Sequence, residues 1–454
     1  MTNRAGIACI AAAVAGAALF PTTGVPLDAQ AGASVIQVAD LADMALGPFH
    51  NGLFRSPADH IVEDRGVRMG SLGSDLFHDP GESYNEFWTV TDRGPNGNPG
   101  RRTFLAPKFD PLILHVRVQD NRVLILDAMP ILDSSGRPVT GLPNVPGFDE
   151  VPYDFNGTNI IDANPNGLDT EGIVRTRAGR FWLVDEYSPS LVSVNTDGRV
   201  IERFVPAGSE LNTTIASTPN YPVKKYLPAI LNKRRQNRGF EGIAFTSDET
   251  TLFLGMQSPL DYPTNAIGRA SRNVRILKFD TATERVTAEY VYHVDEVCAF
   301  LGQATGCGVA PGEMKLSGLI AVSPTVLLVE ERTDTLAKVY RVDLSRATNI
   351  LGTVWDDVAA APTAGTASLE GLATPATQGI TVLPKTLLVN LGSFSGMPGK
   401  IEGIALAKAD VLAVVNDNDF GLADNVTFDS HGKLSNDTQA KSQVLFIQLP
   451  AAVK

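Results

Sequence analysis

Lys400-Ile-Glu-Gly-Ile-Ala-Leu-Ala-Lys-Ala-Asp-Val-Leu-Ala-Val-Val-Asn-Asp-Asn-Asp-Phe-Gly421 contains two short apolar runs flanked by acidic residues. The first run opens with Glu402-Gly403, and the second leads into Asp417 and Asp419. Two apolar runs joined by a turn predict a β-hairpin. Both strands of this hairpin would therefore deliver carboxylates.

The same pattern recurs upstream. Glu171-Gly172 precedes a run that ends at Asp185-Glu186, and Glu241-Gly242 precedes one that ends at Gln257. Around the first of these copies, four short strands fit into about 35 residues, which is the size of one propeller blade. Including degenerate versions, we count six copies, which centre on Asp92, Glu171, Glu241, Ser317, Glu370 and Glu402.

Composition favours one repetitive all-β architecture. The chain has 41 glycines and 29 prolines, which punctuate short apolar runs, while long helical periodicity is scarce. We therefore predict a six-bladed β-propeller with long loop insertions and one short helical insertion at Val223 to Arg235. The net charge of -12 argues against nucleic acid or an anionic membrane surface as a partner.

The first residues resemble a secretory signal. Arg4 precedes the small apolar run Ala5 to Phe20, and Ala29-Gln30-Ala31 supplies a cleavage site. The run is shorter than the ~20 residues that a membrane span needs. We therefore expect a signal peptide at residues 1–31, a single domain at residues 32–454, a monomer without an integral membrane segment, and a secreted or periplasmic location.

Cysteine and histidine are sparse. Cys9 lies in the predicted signal, so Cys298 and Cys307 are the only cysteines of the mature chain. In an oxidising compartment their spacing favours a disulfide over a metal or redox site, because it matches no Cys-x-x-Cys motif. The six histidines show no metal-binding spacing along the sequence.

In a propeller, equivalent positions of successive blades converge on one axis. One such set contains Glu171, Glu241, Glu370 and Glu402, and a second contains Asp92, Asp185, Gln257, Glu331 and Asp417. Carboxylates forced together raise one another's pKa unless a cation compensates. Oxygen ligands without His or Cys favour calcium over zinc. The alternative is that these acids only cap strands and satisfy loop amides.

Several motifs together resemble the phytase-like family, which is described as having the esterase-like activity of phytase and as secreted bacterial β-propellers. The resemblance implies calcium-assisted hydrolysis of phosphate esters. The Glu-Gly openings are also similar to the Glu-Gly-Pro of gluconolactonase-like propellers, where the glutamate binds the central metal. The motifs of the first resemblance are Thr91-Asp92-Arg93-Gly94-Pro95-Asn96, Gly141-Leu142-Pro143, Asp169-Thr170-Glu171-Gly172, Asp185-Glu186, Asn237-Arg238-Gly239-Phe240-Glu241-Gly242, Glu330-Glu331-Arg332, Ile401-Glu402-Gly403 and Asn416-Asp417-Asn418-Asp419-Phe420.

We therefore expect a calcium-assisted phosphoesterase that acts on a small anionic substrate. The expected metal ligands are Glu171, Glu241, Glu402, Asp417 and Asp419. The candidate catalytic residues are Asp92, Arg93, Asp185, Glu186, Glu331 and Arg332, with Asp185 or Glu186 as the base. The expected phosphate-binding residues are Lys233, Arg234 and Arg238. The alternatives are a metal-dependent lactonase or carboxyl esterase that uses the same centre, and a non-enzymatic binding propeller with a structural metal.

Overall fold

The protein is a β-propeller. Its computed structural model describes residues 32–53, 61–98, 100–359 and 368–453, so the signal peptide predicted at residues 1–31 lies outside the described chain. Within these ranges, five antiparallel groups of four strands stand around one axis. The all-β propeller prediction is therefore confirmed.

The strands are short and follow one another along the whole described chain. The first twelve are β1 (Ser34–Leu41), β2 (Asp75–Phe77), β3 (Glu86–Val90), β4 (Asn96–Gly97), β5 (Thr103–Phe104), β6 (Leu112–Gln119), β7 (Arg122–Pro130), β8 (Thr170–Arg175), β9 (Phe181–Asp185), β10 (Ser190–Val194), β11 (Val200–Pro206) and β12 (Val223–Leu227). The others are β13 (Phe240–Phe245), β14 (Thr251–Met256), β15 (Asn273–Asp280), β16 (Arg285–His293), β17 (Lys315–Ser323), β18 (Val326–Arg332), β19 (Ala337–Asp343), β20 (Lys385–Asn390), β21 (Ile401–Lys408), β22 (Val411–Asn416) and β23 (Gln443–Gln448).

We number the blades by their innermost strands, β2, β8, β13, β17 and β21, which contact one another in that cyclic order. From the axis outward, blade 1 is β2-β3-β6-β7, blade 2 is β8-β9-β10-β11, blade 3 is β13-β14-β15-β16 and blade 4 is β17-β18-β19-β20. Blade 5 is β21-β22-β23 with β1 as its outermost strand. The N-terminal strand thus closes the ring by pairing with the last strand of the chain.

Apolar side chains fill the spaces between neighbouring blades. Phe87 of blade 1 packs in one cluster with Phe446 of blade 5, and Trp182 of blade 2 packs with Phe279 of blade 3. Each blade therefore buries both of its faces, which explains why the strands are nearly continuous apolar runs.

The helices are confined to the connections. They are α1 (Leu46–Gly52), α2 (Asn265–Ala270) and α3 (Val297–Phe300), with 3-10 turns at Ile215–Ser217, Ala229–Lys233, Pro311–Glu313, Pro375–Gln378, Leu391–Ser393 and Asp419–Gly421. The helix predicted at Val223 to Arg235 is wrong. Residues 223–227 form β12, which pairs in parallel with β11, and Pro228 separates this strand from a 3-10 turn. Proline cannot donate the backbone hydrogen bond that a helix interior requires.

The predicted sixth blade is not a blade within the described chain. Glu370-Gly371 lies in a turn, and the following strand, β20, is the outer strand of blade 4. The Glu370 carboxylate is buried beside Arg275, with Oε1 2.9 Å from Nη2. The Glu-Gly-Leu sequence therefore matches the repeat without occupying its position.

The glycine after each inner-strand glutamate marks a close approach of two backbones. A Cβ added at Gly172 would lie 3.0 Å from the carbonyl oxygen of Glu241 in the next blade, and one added at Gly242 would lie 2.3 Å from that of Ser317. At Gly371, by contrast, the nearest atoms belong to its own turn, at 3.4 Å or more. Crowding around the axis thus explains the glycine.

The structure also bears on the predicted disulfide and on the expected lack of a membrane-spanning segment. Cys298, in α3, forms the predicted disulfide with Cys307. The described helices are all too short or too polar to serve as a bilayer-spanning segment.

Gly242→Ala should lower the free energy of unfolding by about 1–3 kcal/mol, because its methyl group would overlap backbone atoms of blade 4 that cannot move independently. The midpoint of urea-induced unfolding measures this change. Gly100→Ala is the matched control, since a Cβ there meets no atom within 4 Å. Equal midpoints for the two variants would contradict the crowding argument.

Candidate functional site

The inner strands bring three glutamates together at one end of the axis. Glu171, Glu241 and Glu402 are buried, and one carboxylate oxygen from each lies within 4.8 Å of the others. In blade 4 the equivalent position is Ser317, whose Oγ donates to Glu241 Oε1 at 3.1 Å. The expected convergence of these acids is therefore observed for three blades and replaced by a hydroxyl in a fourth.

A second ring of side chains follows the second strand of each blade. Its members share one register. Gly172 pairs with Val184 and Gly403 pairs with Val415. The residue two positions after this partner, counted along the second strand, is therefore equivalent in each blade. These equivalent residues all line one cavity. They are Asp92, Glu186, Gln257, Arg332 and Asp417.

The sequence-derived version of this ring was wrong in two blades, where it contained Asp185 and Glu331. Asp185 is buried inside blade 2 and accepts hydrogen bonds from Arg203 Nη2 at 2.5 Å and Ser190 Oγ at 2.9 Å. Glu331 accepts from Tyr292 Oη at 2.6 Å and pairs with Lys385. Because side chains alternate along a strand, a shift of one residue moves a side chain from the cavity to the opposite side.

The cavity has a volume of about 470 Å³, and every residue that lines it is polar or charged. It contains the inner glutamates and the second ring together with further cationic side chains. The lining residues are Asp92, Arg93, Asn96, Arg102, Glu171, Glu186, Asn237, Arg238, Glu241, Gln257, Lys315, Arg332, Asp334, Lys400, Glu402, Asp417, Asp419 and Asp424.

Arg332 lies among the inner glutamates. Its Nη2 donates to Glu241 Oε1 at 2.9 Å and to Glu402 Oε1, while its Nε donates to Ser317 Oγ at 2.7 Å. Burial raises the pKa of Glu402 to about 8, although the charge of Arg332 opposes this rise. Two of the three inner glutamates therefore already have a cationic partner from the chain itself.

A second acidic cluster, with Arg93 as its cationic neighbour at Asp169, lies next to these glutamates. One oxygen each from Asp169, Glu171 and Glu186 lies within 4.8 Å of the others. Among the described residues, Asp169 Oδ2 and Glu186 Oε1 have no hydrogen-bond partner, although Arg93 Nη1 lies 3.4 Å from Asp169. Burial, with the charges of Glu241 and Asp169, raises the pKa of Glu186 well above its ordinary value. Burial and Asp169 likewise raise the pKa of Glu171.

This acidic cluster fits a hard cation. Three carboxylates offer oxygen ligands only, which is the donor set that calcium prefers. Asp169 Oδ2 and Glu186 Oε1, which make no hydrogen bond within the described chain, are the atoms that a cation would satisfy. Of the expected ligands, Glu171 belongs to this cluster, whereas Glu241 and Glu402 bind Arg332.

The other two expected ligands lie at the rim with a lysine. Lys400 Nζ is 3.2 Å from Asp417 Oδ2 and 2.5 Å from Asp419 Oδ1. Burial tends to raise the pKa of Asp417, but Lys400 and the Asp419 amide outweigh it and lower that pKa. Asp417 and Asp419 therefore have a cation beside them in the chain.

Basic residues also line the cavity. Lys315 lies near Arg238 and Arg332, and burial together with these charges lowers the pKa of Lys315 to about 8. Its Nζ donates to Asp334 Oδ1 at 2.7 Å. Arg238 Nη2 donates to Glu313 at 3.2 Å. Acidic and basic groups thus line the same cavity.

Of the predicted phosphate-binding residues, only Arg238 lines the cavity. Lys233 is exposed outside it, and Arg234 is buried against Asp149, with Nη2 2.5 Å from Oδ1. The 3-10 turn at Ala229–Lys233 directs consecutive basic residues to different surroundings. Sequence proximity did not imply a shared site.

Asp169, Lys315 and Lys400 were not predicted as site residues, although a signal for them exists. Each stands two positions before the glutamate or serine of its inner strand. Since side chains alternate along a strand, a period of two places them on the same side as that residue. Extending the strand pattern upstream would have found them.

Residues 68–420 match the family described as phytase-like, with the esterase-like activity of phytase. The chain belongs to the phytase-like family. This phytase-like protein is also 26% identical over 286 residues to an uncharacterized secreted protein of Arthroderma benhamiae. The match covers 53% of this chain and 56% of the relative, so the chain spans about half the length of that protein.

Among solved structures, the protein is similar to a luciferin-regenerating enzyme, with 11% identity and a TM-score of 0.34 over 85% of this chain and 94% of the other. It is also similar to a PQQ-bound aldose sugar dehydrogenase from Streptomyces coelicolor, with 12% identity and a TM-score of 0.31 over 86% and 97% of the two chains.

Arg332→Gln should destabilise this phytase-like protein by about 3–5 kcal/mol, because Glu241 and Glu402 would lose their buried cation. Urea unfolding at neutral pH measures the loss. Arg346→Gln, at an exposed position, is the control and should change stability by less than about 0.5 kcal/mol. An unchanged stability of Arg332→Gln would show that the guanidinium does not hold the ring together.

Proposed function

We propose that this protein is an exported, calcium-assisted hydrolase of phosphate esters. The observation that supports this function is that one polar cavity contains both acidic residues, Glu171 and Glu186 with Asp169 beside them, and basic residues, Arg238, Lys315 and Lys400. A phosphate ester needs cationic groups around its oxygens and a site for a divalent cation. The signal-like N-terminus and the secreted relative support export.

The basic residues would bind the phosphate group. Lys315 and Lys400 present ammonium groups, and Arg238 presents a planar guanidinium suited to two phosphate oxygens. All three have carboxylate neighbours at the rim, which hold them in place between substrates. An arriving phosphate would compete with these carboxylates for the cations.

The acidic residues would hold the calcium ion. When bound there, calcium supplies positive charge that polarises the ester and offsets the repulsion between the acids and an anionic substrate. The family description of this chain supports this assignment, as do the buried oxygens of Asp169 and Glu186 that make no hydrogen bond within the described chain.

Asp92 would transfer the proton. It lines the cavity and accepts a hydrogen bond from the Gly94 amide at Oδ1, which leaves Oδ2 for a substrate or water. Burial and the charges of Asp417 and Asp169 raise the pKa of Asp92 well above its ordinary value. A carboxyl group with a raised pKa can exchange a proton near neutral pH. Arg93, bound to Glu150 at 2.8 Å, would hold the adjacent loop.

The mature chain should release phosphate from p-nitrophenyl phosphate or inositol hexakisphosphate with calcium, and chelation by EDTA should abolish the activity. A malachite-green assay measures the phosphate. Lactones and p-nitrophenyl carboxylate esters are tested in parallel. Turnover of these compounds without phosphate release would favour the lactonase or carboxyl esterase alternative, and no turnover of any ester would favour a binding propeller.

Neutralising the adjacent residues Glu186 and Asp185 should have different effects, on activity in the first case and on stability in the second. Glu186→Gln should lower kcat/KM by about 10²-fold or more and abolish calcium-induced stabilisation, because it removes a ligand in the cavity. Asp185→Asn should lower the thermal midpoint, because it breaks the buried pair with Arg203, while the folded fraction stays active. Kinetics and thermal unfolding of both variants test which of the two side chains faces the cavity. Loss of activity in Asp185→Asn with full activity in Glu186→Gln would contradict the assignment.

A further inference from the structure

A second group of metal-binding side chains lies in blade 1, away from the acidic and basic residues of the cavity. Glu82 precedes β3, Glu86 is its first residue and His115 lies on β6. One ligand atom from each of the three residues lies within 4.8 Å of the others. They are brought together by the pairing of β3 with β6, in which Trp88 stands opposite His115 and Glu86 opposite Arg117.

The distances within this group match a small transition-metal site. His115 Nε2 lies 3.3 Å from Glu82 Oε2 and 3.7 Å from Glu86 Oε2. Ligands at zinc distances of 2.0–2.2 Å in a tetrahedron are separated by about 3.3–3.6 Å. A shift of a few tenths of an ångström would therefore convert these contacts into a coordination shell.

The imidazole nitrogen makes no hydrogen bond, although both carboxylates are close to it. His115 Nε2 is buried and lies within ion-pair distance of Glu82 and Glu86, but in the described part of the chain no hydrogen bond is formed at this atom. Buried polar atoms normally have partners, so this atom calls for a ligand between the two carboxylates.

The surrounding residues orient the three ligands. The His115 ring stacks on Trp88, with centroids 4.4 Å apart and planes inclined by 3°. Trp88 Nε1 donates to Glu82 at 3.1 Å, and Arg117 Nε donates to Glu86 Oε1 at 2.8 Å, which leaves Oε2 free. Such outer contacts are what fix ligand geometry in metal sites.

A cavity adjoins one of the three residues. Glu82 also lines a separate cavity of about 570 Å³, walled largely by apolar side chains of the inner strands at their far ends. A metal with three protein ligands has a fourth position for water or a small ligand, and a cavity beside Glu82 is a route by which either could enter.

We propose that Glu82, Glu86 and His115 form a second metal site that binds zinc or a similar first-row transition metal. The nitrogen ligand separates it from the oxygen-only cluster in the other cavity, because imidazole favours zinc whereas carboxylates alone favour calcium. The proposal is independent of the phosphoesterase function.

Cobalt(II) is the probe, because its visible ligand-field bands report tetrahedral coordination, and zinc competition gives the zinc affinity. Wild-type mature chain should bind one cobalt ion with these bands, and zinc should displace it. His115→Phe, which keeps an aromatic ring against Trp88, should abolish the bands. Glu82→Gln should weaken zinc affinity by about tenfold or more.

His431→Gln, at an exposed histidine, and Glu186→Gln, in the calcium cluster, should leave the bands unchanged. Thermal unfolding of the metal-free variants checks that each is folded. If His115→Phe does not fold, the cobalt bands of Glu82→Gln test the proposal instead. Absence of bands in the wild type, which would mean that His115 only pairs with the two glutamates, would overturn the proposal. Bands that persist in the folded His115→Phe or Glu82→Gln variant would overturn it too.

Discussion

The buried contact of Arg332 with Glu241 and Glu402 is the interaction on which the candidate site depends. A propeller crowds the inner strands of all its blades around one axis, so any acid at their starts faces another acid. Burial penalises each charge, and proximity adds repulsion. A guanidinium with several donors satisfies two carboxylates and a hydroxyl together, which lets the acids stay near the axis.

This arrangement changes the expected role of the inner glutamates. The ring that suggested a metal centre contains its own cation, and two buried carboxylate oxygens that make no hydrogen bond within the described chain lie to the side, on Asp169 and Glu186. The same cavity also carries basic residues. Acidic and basic groups are thus close together within a small volume.

Much of the fold followed from local patterns, whereas the positions of individual side chains did not. Glu-Gly openings and paired apolar runs predicted a propeller, because each blade repeats the same strand and turn requirements. For the residues that the structure describes, the count was one too high, since Glu370-Gly371 matches the motif but lies in a turn against Arg275. The helix predicted at Val223 to Arg235 failed because pairing with β11 outweighed local helix propensity. Asp185 and Glu331 were misassigned because bulges decide the register by single residues.

The sequence by itself determined the all-β class, the disulfide, the family and the convergence of Glu171, Glu241 and Glu402. These depend on repeated short-range patterns that each blade satisfies separately. The tertiary structure alone decided that β1 closes blade 5, that Arg332 stands among the glutamates and that His115 meets Glu82 and Glu86. Such contacts join residues far apart in the chain, and a strand places its side chains on one side or the other according to its pairing partner.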